Sequence, residues 1–403
     1  MRPLLEQPLP TRPLDAASVG RVTADRASAA RSASVAPTSV APTPLTSRLA
    51  PIRFLVPGTT GRFRCGGLLV ELQTARLLAS LEERPVQVVT YRQREEEHPF
   101  LDDLLRREPL RQGSGGDGAA QALWIVSWGY DVPALLRRLR GRAVAYHAHS
   151  SGYGFDLPAA VPVLAVSRNT LGYWGNRAPR HPLFLVPNAL DRRWLRPASD
   201  AGRADAAAGR RPIDVLVQER KSSRYVLEQL LPALRARGLR VELQSGWVDD
   251  LVELFRSATV VLYDSADYWR GRGVSEGFGL PPLEALASGC VVFSSLNHAL
   301  ADSLDPGLVG HQIGCGSLAA DLERITAAVA APAAWQADPA ALAALLEASS
   351  EPVLRERWRG ALAAIERHWA LLLDGSAEPL VAPPVWRLRL DQRLVRLRRW
   401  LRR

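Results

Sequence analysis

The chain has 403 residues, 47% of them hydrophobic, and a formal charge of +10 carried by 50 arginines and one lysine. That length exceeds what a single core serves, so two domains are expected, and three cysteines are too few and too scattered for a disulfide framework or a paired-cysteine zinc site. The charge excludes a nucleic-acid-binding core domain, because residues 1–50 contribute +3, residues 386–403 contribute +7, and everything between sums to zero.

Residues 1–50 form an Ala/Ser/Pro/Arg-rich extension, as in "RSASVAPTSVAPTPLTSR", with little apolar periodicity; it is expected to be disordered. Organellar transit peptides share this composition, but the arginine bias throughout the chain points to a GC-rich bacterial genome. No run of 18 apolar residues and no secretory leader pattern occurs, so a cytoplasmic location is expected.

From residue 51 short apolar strands alternate with helical segments. "IRFLVP" reads as a buried strand, "GTTGRFRCGG" as a loop, "LLVELQTARLLASL" as an amphipathic helix and "VQVVTY" as the next strand. "ALWIVSW", "VPALLRRL", "RAVAYHAH" and "VPVLAVS" continue the alternation. Residues 51–195 therefore form a Rossmann-like domain with a parallel sheet. A linker spans 196–212. A second Rossmann-like domain follows over 213–345, from the strand "IDVLVQ" and the helix "YVLEQLLPALRARG" to "CVVFSS". Residues 346–384 read as helices crossing back to the first domain, and 385–403 as a basic amphipathic tail helix. The fold class is α/β, with two doubly wound parallel-sheet domains facing a cleft.

The stretch "VSEGFGLPPLEALASG" carries the chemistry. Gly277 and Gly279 suit a sharp turn whose backbone approaches a ligand. Pro281 and Pro282 suit the first turn of a helix, whose free N–H groups attract an anion. Glu276 and Glu284, the latter placed in that first turn, bracket the anion site, and each carboxylate can accept two hydroxyl hydrogen bonds.

Glu276, Gly277, Phe278, Gly279, Leu280 and Glu284 together resemble the E-x7-E signature of retaining glycosyltransferases with the GT-B fold, in particular family 4. The resemblance extends over the order of elements from about 51 to 330. It implies that Glu276 contacts the donor sugar, Glu284 holds the ribose, and the loop amides meet sugar and diphosphate. Relatives place an Arg and a Lys, typically five positions apart, after the first strand of the second domain. Arg220 stands at the first place and Tyr225 at the usual lysine place, so the second cation is left open between Lys221, which is preferred, and Arg224.

The resemblance also implies that Gly66 and Gly67 form a glycine-rich loop near the donor phosphates, and that His149, in "AYHAHSSGYG", lies near the donor sugar. A structural histidine is the alternative for His149. Zinc is not expected at the His147/His149 pair, since no further ligand is spaced nearby. Asn188, in "PNALD", is read as structural.

The expected activity is that of a metal-independent hexosyltransferase-like enzyme, moving sugar from a nucleotide diphosphate sugar to an acceptor hydroxyl of a glycan or lipid-linked molecule, with no cofactor. A phosphorylase or sucrose-type synthase stays open within the fold. Outside enzymes, the alternatives are a non-catalytic binding protein and a membrane-associated scaffold. The tail suggests an anionic membrane surface as a partner: Trp386, Leu390, Leu394, Leu397 and Leu401 share one helical stripe, with arginines on the other side.

Overall fold

The computed structural model describes residues 49–81, 84–109, 121–127, 129–195, 211–246 and 248–401. The extension up to residue 48 and residues 196–210 of the linker lie outside them, and with them the expectation of disorder in 1–50.

Among the described residues, eleven strands build two all-parallel sheets. The first has the order β2-β1-β3-β4-β5-β6, formed by β1 (Ile52–Val56), β2 (Val86–Thr90), β3 (Leu123–Val126), β4 (Val144–Ala148), β5 (Val163–Ala165) and β6 (Leu183–Leu185). The second has the order β11-β10-β9-β7-β8, from β7 (Ile213–Gln218), β8 (Val241–Gln244), β9 (Ala258–Tyr263), β10 (Val291–Ser294) and β11 (His311–Gln312). Each order reverses beside its first strand, where β1 pairs with both β2 and β3, and β7 with both β8 and β9. Chain crossovers leave opposite faces there, which opens a crevice at the carboxyl ends of the strands.

Helices cover both faces of each sheet, so β1, β3 and β4 are buried at every position. Even Arg53, inside β1, is 4% exposed. It is tolerated because its guanidinium meets Glu108 through two bonds of 2.6 and 2.7 Å, donates to Gln87, and lies 4.8 Å from the Trp124 ring centre.

The helix Glu351–Leu373 belongs physically to the first domain. Its Leu354, Trp358, Leu362 and Ile365 pack with Ile52, Phe54, Ile125 and Leu164 from the first sheet. Trp358 is fully buried, 5.8 Å from Phe54 between ring centres, and Trp369 Nε1 donates to the Val144 carbonyl. The helix "YVLEQLLPALRARG" begins with a π-helical stretch, Tyr225–Leu230, before the α-helix Leu231–Ala236. Gly238, at φ +82°, closes it as the sequence suggested.

Trp358→Ala should destabilise the first domain by about 3–5 kcal/mol, read as a lower urea midpoint. A loss below about 1 kcal/mol would mean that the helix is not part of that core.

Candidate functional site

The carboxyl ends of β4, β7 and β9 converge on one carboxylate. Glu276 is 5% exposed and sits in the loop before the helix Leu280–Ala287. Its Oε2 accepts from the Tyr263 hydroxyl at 2.6 Å and from Trp269 Nε1 at 2.6 Å. Lys221 Nζ donates to both carboxylate oxygens, at 3.3 and 3.4 Å, and lies 4.6 Å from the centre of the Trp269 ring. A polar group this buried requires such partners to replace the hydrogen bonds it gives up with water. The Glu276 backbone N–H donates to His298 Nδ1, which fixes that nitrogen as an acceptor.

Lys221 reaches this position at a conformational cost. It follows β7 with φ +74°, the left-handed region that a non-glycine residue enters at about 1 kcal/mol or more. The neighbouring cations differ. Arg220 is exposed, with no hydrogen bond or ion pair among the described residues. Arg224 is turned along its own helix and pairs with Glu228 at 2.8 Å, 87% of its side chain exposed. The structure thus brings Lys221, and not Arg224, to Glu276.

Gly277 and Gly279 have steric reasons that differ from the expected ligand approach. A Cβ on Gly277 would lie 1.4 Å from the His149 carbonyl oxygen, so the glycine is what lets the two domains touch. Gly279, at φ +85°, caps the helix Leu280–Ala287 in the left-handed region, where a Cβ would meet Leu300 at 2.3 Å. Phe278 and Leu280 are half-buried against the core of the second domain. Pro281 and Pro282 do lie in the first helical turn, as the sequence indicated.

Glu284 does not lie there. The helix starts at Leu280, which puts Glu284 in the second turn, too far along for the N-terminal dipole to stabilise it strongly. Burial pushes its carboxyl up to about 7, against a weaker downward pull from Arg193. No hydrogen bond from another described residue reaches it, which leaves both oxygens available to a ligand.

On the first-domain side, Gly66 and Gly67 open the helix Gly66–Ala79 instead of lying in a loop. No atom other than the Cys65 sulfur comes within 4 Å of a Cβ placed on either, so the space above this helix start is open. From the buried face of the same helix Glu71 reaches under β4. Its Oε1 accepts from His147 Nδ1 at 2.8 Å and from His149 Nε2 at 2.7 Å. Burial raises the Glu71 carboxyl, but the two imidazoles outweigh it and hold it well below the usual carboxylate range. Burial pushes the His147 imidazole down against the attraction of Glu71.

The three side chains bring one ligand atom each within 4.8 Å of one another. A third metal-capable group therefore does stand beside the H-x-H pair, contrary to the sequence expectation; it lies 76 residues upstream of His147, where spacing rules do not look. Both ring N–H groups converge on the single oxygen, so hydrogen bonding alone accounts for the cluster.

Hydrogen bonds seal the two sides together. Ser151 N–H donates to Ser275 Oγ at 2.9 Å, Ser275 N–H to the Ser151 carbonyl at 3.0 Å, and Ser150 Oγ to the Ser275 carbonyl at 2.6 Å. Asp302 accepts from the backbone N–H groups of Arg168 and Asn169, at the start of the helix Arg168–Arg177. A separate surface cavity of about 390 Å³, near His181, His368 and Leu380, includes none of these residues.

Sequence reasoning missed Glu71, Tyr263, Trp269, Ser275 and His298. Glu71 alone left a trace, as an acid on the apolar stripe of "LLVELQTARLLASL".

This architecture has solved counterparts. Sucrose-phosphate synthase from Thermosynechococcus elongatus superposes with a TM-score of 0.56 at 15% identity, over 78% of this chain and 99% of that one. HepE from Anabaena, solved in complex with UDP and glucose, gives 0.54 at 15% identity over the same shares. A glycosyltransferase from Rickettsia africae gives 0.54 at 10% identity, over 78% and 98%. The fold is GT-B. No family model matches the sequence, and no curated protein matches it.

Substitutions at two positions test the site. Lys221→Gly should be more stable than Lys221→Ala by about 1 kcal/mol, because both lose the ion pair and only glycine loses the backbone strain; equal stabilities would show that residue 221 is unstrained. For Glu284, the carboxyl titrates near 4.5 in the unfolded chain and about 7 in the folded one. Between those values the folded state binds more protons, so stability falls as pH rises through this window. Glu284→Gln should abolish that fall, a difference of about 3 kcal/mol at pH 8 in chemical unfolding.

Proposed function

We propose that the protein is a retaining glycosyltransferase that moves a sugar from a nucleotide diphosphate sugar to an acceptor hydroxyl. The observation that carries the reading is the meeting of Lys221 and Glu276 at the carboxyl ends of the second sheet, across from His149 on the first. HepE, of like fold, is a UDP and glucose complex, which makes UDP the first base to test.

Charge decides the chemistry. Breaking the bond between the anomeric carbon and the diphosphate adds a third negative charge to a group that already carries two, and preorganised donors that meet it supply the largest catalytic contribution. Arg220, exposed and unpaired, and Lys221, able to swing from Glu276, supply the cations; the Leu280 backbone N–H, at the start of a helix whose next two residues are prolines without one, supplies a neutral donor. With these charges in the protein the reading calls for no resident metal. Glu276 turns to the donor sugar as Lys221 leaves it, and the free oxygens of Glu284 take the ribose hydroxyls. His149, with Nε2–H committed to Glu71, offers Nδ1 to the sugar.

Retention follows from attack on the face the diphosphate leaves. The acceptor oxygen bonds to the anomeric carbon as the phosphate oxygen departs, and that oxygen takes the acceptor's proton. Gly66 and Gly67 leave room for the acceptor, a glycan or lipid-linked hydroxyl on the cytoplasmic side, above the helix they open. Movement of the lobes across the Ser150–Ser275 seam would admit the donor.

A thermal-shift series with UDP, GDP, ADP and their sugars should give one responding nucleotide. Arg220→Ala and Glu284→Ala should each weaken its binding about tenfold or more, the worth of a hydrogen bond to a charged group. Unchanged affinity in both would remove this pocket, and nucleotide binding without transfer or donor hydrolysis would indicate a binding protein of the same fold.

A further inference from the structure

The C-terminal helix Val385–Leu401 is well formed and has no buried residue. Nine of the 17 exposed large apolar side chains among the described residues sit on it, with Trp386 at 67% and Trp400 at 71%. The residues before it, 374–384, include no buried position either, so the helix is carried on an exposed strap of chain.

Its pattern is that of a surface-lying helix. At 3.6 residues per turn, Trp386, Leu390, Leu394, Leu397 and Leu401 fall within an arc of about 80° along one side. Arg387 and Arg398 border that arc on one edge, Arg389 and Arg393 on the other, and Arg396 and Arg399 lie opposite, with Asp391 the one acid. Val385, Leu388 and Val395 are the apolar exceptions on the polar side, and Trp400 lies on the border between Arg389 and Arg393. Long side chains on both borders can extend their guanidinium groups past an apolar stripe that is immersed. No helix of the described residues is long and apolar enough to cross a membrane, which leaves lying in the interface as the way to cover this stripe.

We infer that this helix docks the protein on an anionic lipid bilayer, with its leucine stripe among the acyl chains and its arginines among the headgroups. Charge complementarity selects this occupant. Residues 386–403 hold +7 of the chain's +10, a charge that a negative leaflet attracts and that a second copy of the same helix would repel. Nucleic acid would meet the arginines and leave the leucines in water. Resting on the transfer reading of the cleft, the same contact makes the acceptor a lipid-linked molecule held in that bilayer.

The test is sedimentation of the full chain with vesicles of phosphatidylcholine alone, or mixed in equal part with phosphatidylglycerol. The chain should sediment with the anionic vesicles only, and less as salt rises. The triple variant L390E/L394E/L397E should lose about tenfold or more of its vesicle affinity, while its nucleotide thermal shift stays as in the unaltered chain. Failure of nucleotide binding in both proteins would strike the transfer reading and leave docking untouched. Docking itself would be overturned by a chain that stays in the supernatant with both vesicle types, by equal binding of the triple variant, or by light scattering that shows a dimer which the triple variant dissolves.

Discussion

A carboxylate that is 5% exposed organises this protein's cleft. Burial takes the Glu276 carboxyl oxygens away from water, and the surrounding sequence replaces the lost hydrogen bonds with a phenol, an indole N–H and one ammonium. Each donor comes from a different segment: Tyr263 ends β9, Trp269 lies in the following helix and Lys221 follows β7. The strained backbone at Lys221 and the aromatic ring under its ammonium both serve to deliver one charge to one place.

That delivery depends on the lobes meeting closely. Gly277 allows the His149 carbonyl to come within a distance any side chain would forbid, and the Ser150, Ser151 and Ser275 bonds hold the approach. Asp302 adds a charged acceptor at the start of a first-domain helix. Beside Glu276 the seam consists of short polar side chains and backbone groups, whereas Leu190 and Trp194, at the end of the first domain, are buried in the core of the second, with Trp194 edge-on to Phe255.

Much of the fold was legible because parallel sheets covered on both faces leave uninterrupted apolar runs such as "IRFLV" and "TVVLY". The helix start was legible to within a residue or two from its glycine and prolines, yet the placing of Glu284 was a turn off, since nothing in the letters marks whether the helix starts at Leu280 or at one of the prolines that follow. The glycines themselves were legible, but the reason for them was not: what fills the space beside Gly277 is backbone from 128 residues earlier in the chain. Glu71 and Trp269 lay beyond reach for the same reason, because their roles arise only when distant segments fold together. That Lys221 meets Glu276 while Arg224 meets Glu228 depends on local backbone geometry, including the left-handed turn at Lys221, which propensities do not supply.

The helix Glu351–Leu373 lends five buried side chains to a sheet whose strands were completed by residue 185. A ribosome delivering this chain would therefore release the first lobe with one face bare, and would keep it so while the whole second lobe was translated. The lobe synthesised first is the one finished last, and through that interval its apolar face would have to be shielded by chaperones or by transient contacts with the growing chain.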